Sequence, residues 1–154
     1  MDSNNENTIE ILNDLIRINN DRIEGYNRAA KETQEEDEDL RILFHRMTGE
    51  SRIYLKELTQ EVQRLGGEPA EGTTGSGKLY RAWMEVKATF TGNDRKSTLS
   101  ACEFGEDTAQ RAYELALAED DLPLGLAEFL SSQKAALKTS HDEIKRYRDE
   151  DSTG

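Results

Sequence analysis

The sequence predicts an all-α protein, a four-helix bundle formed by one domain over residues 1–154, with its core at about residues 8–148. Four segments carry apolar residues at alternating steps of three and four, a spacing that places them on one face of a helix. Only two prolines occur, Pro69 and Pro123, and both fall between these segments, so long uninterrupted helices are allowed. A length of 154 residues suits one continuous core.

The first helix is predicted over residues 8–34. Asn7 or Thr8 is suitably placed to cap its start. Five acidic residues at 35–39 follow, and they predict a short turn whose charges favour the N-terminus of the next helix. The inward face of the first helix, which one polar residue interrupts, comprises Ile9, Leu12, Ile16, Asn19, Ile23, Tyr26 and Ala30.

The second helix is predicted over residues 38–65 and ends at the Gly66-Gly67 pair, with Pro69 beyond it. Polar residues also occupy the middle of its inward face. That face comprises Leu40, Leu43, Phe44, Met47, Glu50, Ser51, Tyr54, Leu58, Val62 and Leu65.

A long connection over residues 66–93 separates the second helix from the third. Its Gly/Thr/Ser-rich part, residues 72–77, lacks the Gly-Lys-Ser/Thr ending of a phosphate-binding loop and is interpreted as a linker. Residues 78–90 predict a short amphipathic helix. We expect its Trp83 to pack against the long helices, because an exposed Trp forgoes a large apolar burial. The alternative is an aromatic patch that binds a partner.

The third and fourth helices are predicted over residues 94–119 and 123–148, with a tight break between them. The inward face of the third comprises Leu99, Cys102, Glu106, Ala109, Tyr113 and Ala116. That of the fourth comprises Leu126, Ala127, Leu130, Gln133, Lys134, Leu137, Ser140, His141, Ile144 and Tyr147. Short turns pair the helices as two antiparallel hairpins. If the long connection runs the length of the bundle, the third helix starts beside the second, which is the single-crossover topology of ferritin-like folds.

The overall charge restricts the classes of partner. Lys and Arg number 20 and Asp and Glu number 32, which gives a net charge of −12. A field of this sign repels nucleic-acid phosphates and anionic lipid surfaces, so we expect neither as a partner. No apolar run approaches the ~20 residues that span a bilayer. The polar N-terminus does not resemble a signal peptide, and a single cysteine forms no intrachain disulfide, so a cytoplasmic location is expected.

Polar residues on all four inward faces fall at about the same level, midway along the bundle. They are predicted to form a polar core layer of Asn19, Ser51, Tyr54, Glu106, Gln133 and Lys134. A buried carboxylate is costly unless it is paired, and Lys134 is the nearest candidate partner of Glu106, with Gln133 as the alternative if Lys134 turns outward. Glu106→Gln is expected to be tolerated, because it keeps the shape of the side chain and removes a costly buried charge, although any tight pairing with Lys134 would be lost. A hydrogen-bonded layer of this kind fixes the register of helices.

The alternative interpretation of this layer is a reduced dimetal site with Glu50 and Glu106 as ligands for iron or manganese. Di-iron bundles take one Glu from each of two helices and a Glu-x-x-His from each of the other two. The chain contains no Glu-x-x-His, and Ile53 stands where Glu50 would need its histidine. His141 lies too far along the fourth helix to serve Glu106. We therefore expect no metal, no cofactor and no catalytic residues in the core.

Two other residues with chemically active side chains have simpler interpretations. Cys102 lies on an inward face and is expected to be a buried small hydrophobe. His45, beside Leu43 and Phe44, is expected at the boundary of the core.

Several segments resemble a bacterial family of uncharacterised ferritin-like four-helix-bundle proteins, classed as a domain of unknown function. The resemblance covers roughly residues 8–148. Its segments are Asp21 with Gly25-Tyr26, residues 65–69, residues 83–87, residues 102–107 with Tyr113, and His141-Asp142. It implies the fold and a bacterial cytosolic setting, and it implies no established activity.

Two functions are compatible with these observations. The first is a non-catalytic, acidic bundle that acts through association with a protein partner or a second copy, in a stress response. The second is a carboxylate-rich metal-binding protein that carries iron or manganese at the reduced dimetal site.

Overall fold

The computed structural model describes residues 3–33, 35–72 and 95–153, and this part of the chain is a four-helix bundle without strands. The helices are α1 (Ser3–Glu32), α2 (Glu38–Arg64), α3 (Arg95–Leu117) and α4 (Leu124–Thr153), with a 3₁₀ turn (Glu35–Asp37) between α1 and α2. The predicted all-α four-helix class is confirmed. The short helix predicted at residues 78–90, with Trp83, lies outside the described residues.

The turn between α1 and α2 and the start of α3 lie at the same end of the bundle. Arg95, at the first position of α3, donates hydrogen bonds to the Asp37 carboxylate at 3.0 Å and to both Asp39 oxygens at 2.9 and 2.6 Å. These carboxylates flank the N-terminus of α2. α3 therefore starts beside the start of α2 and runs parallel to it, as the single-crossover arrangement requires.

The connection begins with a glycine-dependent turn that reverses the chain. Gly66 has φ +83, and its amide bonds to the Gln63 carbonyl at 3.0 Å, while the Gly67 amide bonds to the Val62 carbonyl at 3.0 Å. This is the Schellman pattern that ends helices at glycine. A Cβ on Gly67 would lie 2.8 Å from the Ile9 side chain, so the chain passes very close to α1.

Residues 67–72 then follow the surface of α1 towards the other end of the bundle. Asn13 donates to the Glu68 carbonyl at 3.0 Å and accepts from the Ala70 amide at 2.8 Å. Two turns further along α1, Asn20 donates to the Gly72 carbonyl at 2.8 Å. The connection thus starts out along the length of the bundle, in the direction of the start of α3.

The core contains two apolar clusters with polar side chains between them. The cluster at the α1–α2 turn contains Tyr26, Ala29, Ala30, Leu40, Leu43, Phe44, Met47, Leu99, Cys102 and Ile144. The cluster at the opposite end contains Leu12, Leu15, Ile16, Ile18, Leu58, Val62, Ala109, Ala112, Tyr113, Ala116, Leu126, Leu130 and Leu137. On α1, α2 and α3 the boundary between them is polar and buried, at Asn19, Arg22, Ser51 and Glu106.

Candidate functional site

A fully buried ion pair lies at the centre of the bundle. Arg22 of α1 donates from Nε to Glu106 Oε1 of α3 at 2.6 Å, and both side chains are at most 1% exposed. Arg22 also donates from Nη1 to the Met47 carbonyl at 3.1 Å and to Ser51 Oγ at 2.9 Å. Its Nη2 contacts Met47 Sδ at 3.3 Å and lies 3.6 Å from Glu50 Oε1. The guanidinium therefore joins three helices.

Tyr26 completes the surroundings of this ion pair. Its hydroxyl donates to Glu106 Oε1 at 2.7 Å, and its ring lies 5.2 Å from the guanidinium carbon of Arg22. Burial, with the charge of Glu106, raises the pKa of Tyr26 well above its ordinary value, so the phenol keeps its proton. Burial alone would lower the pKa of Arg22, but the charge of Glu106, together with Tyr26, the hydrogen bond to Glu106 and the charge of Glu50, raises that pKa. Among the described residues, Glu106 Oε2 is buried and has no hydrogen-bond partner.

A chain of hydrogen bonds continues from Arg22 to α4. Ser51 donates to Asn19 Oδ1 at 3.0 Å, and Asn19 Nδ2 donates to the Tyr113 hydroxyl at 3.1 Å. That hydroxyl donates to Gln133 Oε1 at 2.7 Å, and Gln133 Nε2 donates to Glu57 at 3.1 Å. All hydrogen bonds in this series are donated in the same direction, from the Arg22 cation towards the Glu57 carboxylate. The network therefore connects all four helices in one polarised sequence.

The residues predicted to form the polar core layer are not all buried in the network. Asn19, Ser51, Glu106 and Gln133 are all buried within the network. Tyr54 contributes its backbone carbonyl, which accepts from Gln133 Nε2 at 3.3 Å, while its side chain is half-buried. Burial, then the charge of Glu50, raises the pKa of Tyr54.

The predicted pairing of Lys134 with Glu106 is wrong. The Lys134 ammonium lies 3.7 Å from the Glu114 carboxylate, on the outside of the α3–α4 hairpin. Lys134 follows Gln133 by one residue, which is about 100° around a helix, so the two cannot both face the core. Gln133 takes the inward position and Arg22 supplies the charge.

Sequence reasoning missed Arg22 and Glu57 as members of this network, and it missed the role of the Tyr113 hydroxyl. Arg22 was left out because a long charged residue is ordinarily assigned to the surface. The signal was nevertheless present: Asn19, Arg22 and Tyr26 are separated by three and four residues and so share a face. Tyr113 was recognised as a core residue, but its hydroxyl was not considered as the link between Asn19 and Gln133.

The arrangement suits a structural ion pair better than a metal centre. Glu50 and Glu106, the two carboxylates proposed as ligands, lie on either side of the Arg22 guanidinium. A cation placed between them would have to displace that group or share a very short space with it. The site also provides no imidazole, because His141 belongs to a different cluster on the α3–α4 surface.

Of the two other residues with chemically active side chains, Cys102 is buried and His45 is exposed. Cys102 is 1% exposed, one turn before Glu106, and burial raises the pKa of its thiol. His45 is exposed on α2.

Fold and site together define a helical bundle whose centre holds a buried ion-pair network. The chain matches the family described as Domain of unknown function (DUF2383) over residues 7–119. It therefore belongs to that family, and the matched region contains α1 from residue 7, α2 and α3. No curated protein matches the chain. Within the described ranges, none of the helices has the length and apolar character needed to cross a bilayer.

Proposed function

We propose that this protein is a non-catalytic helical bundle that acts through its surface, by association with a protein partner or a second copy of itself. The observation that carries the proposal is the Arg22–Glu106 ion pair, with its 2.6 Å contact and complete burial. It occupies the position where a bundle enzyme of this architecture would bind its metals, and its groups are committed to one another. Function is then carried by groups outside the core.

One line of α2 supports association. Ile42 and Ile53 are 63% and 59% exposed, and they lie eleven residues apart, which is about three helical turns. They therefore share one outward line, on which Gly49 leaves open space. Large exposed aliphatic side chains on one line of a helix are suited to contact with another helix.

The experiment compares a core variant with a surface variant in the native host. Arg22→Met/Glu106→Leu replaces the ion pair by apolar groups, and Ile42→Glu/Ile53→Glu places charges on the outward line of α2. We expect the core variant to rescue a deletion strain and the surface variant to fail, although both remain folded by circular dichroism. Sedimentation velocity of the purified proteins then separates loss of self-association from loss of a different partner. Rescue by the surface variant, or failure of a folded core variant, would contradict the proposal.

A metal-binding function remains the second candidate, with iron or manganese held by Glu50 and Glu106. Its supporting observation is the buried Glu106 Oε2, which has no hydrogen-bond partner among the described residues. Buried polar groups in native proteins nearly always have one. Stoichiometric iron or manganese in protein purified from its host, lost in Glu106→Gln, would favour this candidate over the first.

We also propose that the bundle is ferritin-like and that the protein is bacterial and cytoplasmic. The placement of Arg95 beside Asp37 and Asp39 supports a single-crossover topology like that of ferritin-like bundles. A bacterial, cytoplasmic protein with a stress-related role is what the sequence resemblance supports. Expression of the gene in its host under stress, with fractionation of the cells, tests both the role and the location.

A further inference from the structure

A second polar cluster lies outside the core, on the surface between α3 and α4. Glu103 and Asp107, one turn apart on α3, face His141 of α4, and one ligand atom from each lies within 4.8 Å of the others. His141 Nε2 is 2.6 Å from Asp107 Oδ1 and 3.8 Å from Glu103 Oε1. The Glu103 and His141 side chains are only 13% and 14% exposed, whereas Asp107 is 62% exposed. The cluster is therefore rooted in the hairpin and open on one side.

The imidazole is oriented by its other nitrogen. His141 Nδ1 lies 3.0 Å from Asp142 Oδ1, which also accepts from Lys138 Nζ at 3.0 Å. The Asp142 carboxylate beside Nδ1 fixes the orientation of the ring and directs Nε2 at Asp107 and Glu103, where a cation can take the place of the proton that joins Nε2 to Asp107 Oδ1 at 2.6 Å. Metal-binding histidines in proteins are held by carboxylates in this way.

Glu103 is held in a comparable manner. Its Oε2 accepts a hydrogen bond from Arg148 Nη1, and its other oxygen, Oε1, is the atom that faces His141. The two oxygens thus have separate roles, since one anchors the side chain and the other is directed at the cluster. A carboxylate fixed by an outer hydrogen bond loses less conformational freedom on binding a ligand.

The charge of the patch also favours a divalent cation. Four carboxylates are joined by these ion pairs, on Glu103, Asp107, Asp142 and Asp149, against two cations, on Lys138 and Arg148. With a neutral imidazole the patch carries a net charge of −2.

We propose that Glu103, Asp107 and His141 bind a divalent transition-metal cation, of which Zn²⁺ is the best fit, with water in the remaining position. One imidazole and two carboxylates suit Zn²⁺ better than Mg²⁺ or Ca²⁺, which prefer oxygen ligands alone. Zinc–ligand distances of about 2.0–2.2 Å separate neighbouring ligand atoms by more than the 2.6 Å between His141 and Asp107. The exposed Asp107 side chain is free to make that small adjustment.

The test is calorimetric titration of Zn²⁺ into the full-length protein after chelator treatment. We expect saturable binding of one ion per chain, lost in His141→Gln and weakened about 10–100-fold in Asp142→Asn, the change typical of losing a group that orients a ligand. Asp107→Asn, at the exposed position, provides a second ligand variant that leaves the fold undisturbed. His45→Gln is the matched control, because it removes the other of the two histidines.

Two further variants and one competing ion complete the experiment. Cys102→Ala should leave binding unchanged, since the buried thiol is separate from this cluster. Mg²⁺ in tenfold excess should not displace Zn²⁺. Equal binding by wild type, His141→Gln and Asp107→Asn would overturn the proposal. So would a Kd for Zn²⁺ weaker than about 1 mM, which corresponds to a binding free energy of only about 4 kcal/mol.

Discussion

Two of the ionic clusters that join helices in this bundle, the core network and the α3–α4 cluster, differ in how water reaches them. In the core network, Arg22 and Glu106 are at most 1% exposed, and each has its charge opposed by the other at 2.6 Å. In the α3–α4 cluster, Asp107 is 62% exposed and the imidazole of His141 faces more than one carboxylate. The core pair is thus closed and charge-balanced, whereas the surface cluster is open and has excess negative charge. The buried core pair can therefore contribute only to stability, whereas the exposed α3–α4 cluster can also bind a ligand.

The largest effect should come from breaking the core pair on one side only. Arg22→Met leaves Glu106 buried without its cation, and Glu106→Leu leaves the buried guanidinium with only the more distant Glu50 carboxylate, at 3.6 Å, as an opposite charge. Removing one member of a buried pair typically costs about 3–5 kcal/mol, because an uncompensated charge stays in the interior. Urea unfolding of each variant measures this loss. A loss below about 1 kcal/mol, which is typical of exposed pairs, would contradict the account.

The Glu106→Gln substitution sharpens the same comparison. The sequence predicts that this change is tolerated, because it keeps the shape of Glu106 and removes a costly buried charge. In the structure that charge opposes the buried guanidinium of Arg22, so we expect the isosteric change to destabilise the protein by several kcal/mol, about as much as other one-sided breaks of a buried pair. Lys134→Met is the matched control and should shift the urea midpoint little. Equal midpoints for Glu106→Gln and wild type would restore the earlier expectation.

Interrupting the hydrogen-bond chain should have an intermediate effect. Tyr113→Phe removes one hydroxyl and leaves Asn19 Nδ2 and Gln133 Oε1 buried without that partner. Each such unsatisfied group costs about 1–3 kcal/mol. Tyr147→Phe, at a half-buried position on α4, serves as a control for loss of a hydroxyl. Thermal unfolding of both variants decides the matter, and a Tyr113→Phe protein as stable as the control would count against a connected network.

The surface cluster should contribute little to stability in the absence of metal. His141→Gln is expected to change the free energy of unfolding by less than about 1 kcal/mol, as is usual for partly exposed ion pairs. The measurement is chemical unfolding in the presence of a chelator. A loss as large as that of Glu106→Leu would show that the two clusters are not different in kind.

The smallest effect is expected at the bundle end, where Arg95 joins α3 to the α1–α2 turn. Hydrogen bonds from Arg95 lower the pKa of Asp39 below its ordinary value of 3.8. A depressed carboxylate pKa adds stability above the unfolded-state value, and that stability is lost as the pH falls through the lower folded-state value. Arg95→Gln should therefore cost under about 1 kcal/mol at neutral pH. The difference from wild type should vanish in acid, which pH-dependent urea midpoints will reveal.

The sequence was sufficient to predict the four long helices from apolar spacing and from stops at Gly66 and Pro123. Two of the outer ends were wrong, because α1 begins at Ser3 rather than at a cap at Asn7 or Thr8, and α4 continues to Thr153 rather than ending at residue 148. The buried positions of Asn19, Ser51 and Glu106 could likewise be read from the spacing. The identity of the buried cation could not, because propensity alone places arginine outside. Choosing between Lys134 and Arg22 needed the rotation of α4, which puts Gln133 rather than its neighbour inward.

The surface cluster was partly accessible from sequence. Counting from the break near residue 121 places His141 opposite residue 101, close to the level of Glu103. At a rise of about 1.5 Å per residue, Asp107 is six residues, or about 9 Å, further along α3. The histidine was compared only with Glu106, on the assumption that a metal site would lie in the core. Sequence spacing gives the level of a residue along the bundle, but which side chains meet across the outer groove depends on the rotation of both helices.

The measurement that tests the central claim most directly is the free energy of unfolding of Arg22→Met/Glu106→Leu beside its two single variants. Apolar replacement of a buried pair is often neutral, whereas breaking it from one side is not. We therefore predict that the double variant is more stable than either single variant, with a coupling energy of several kcal/mol by the double-mutant cycle. Additive losses, with the double variant the least stable of the three, would show that Arg22 and Glu106 do not act as a pair and would contradict the account.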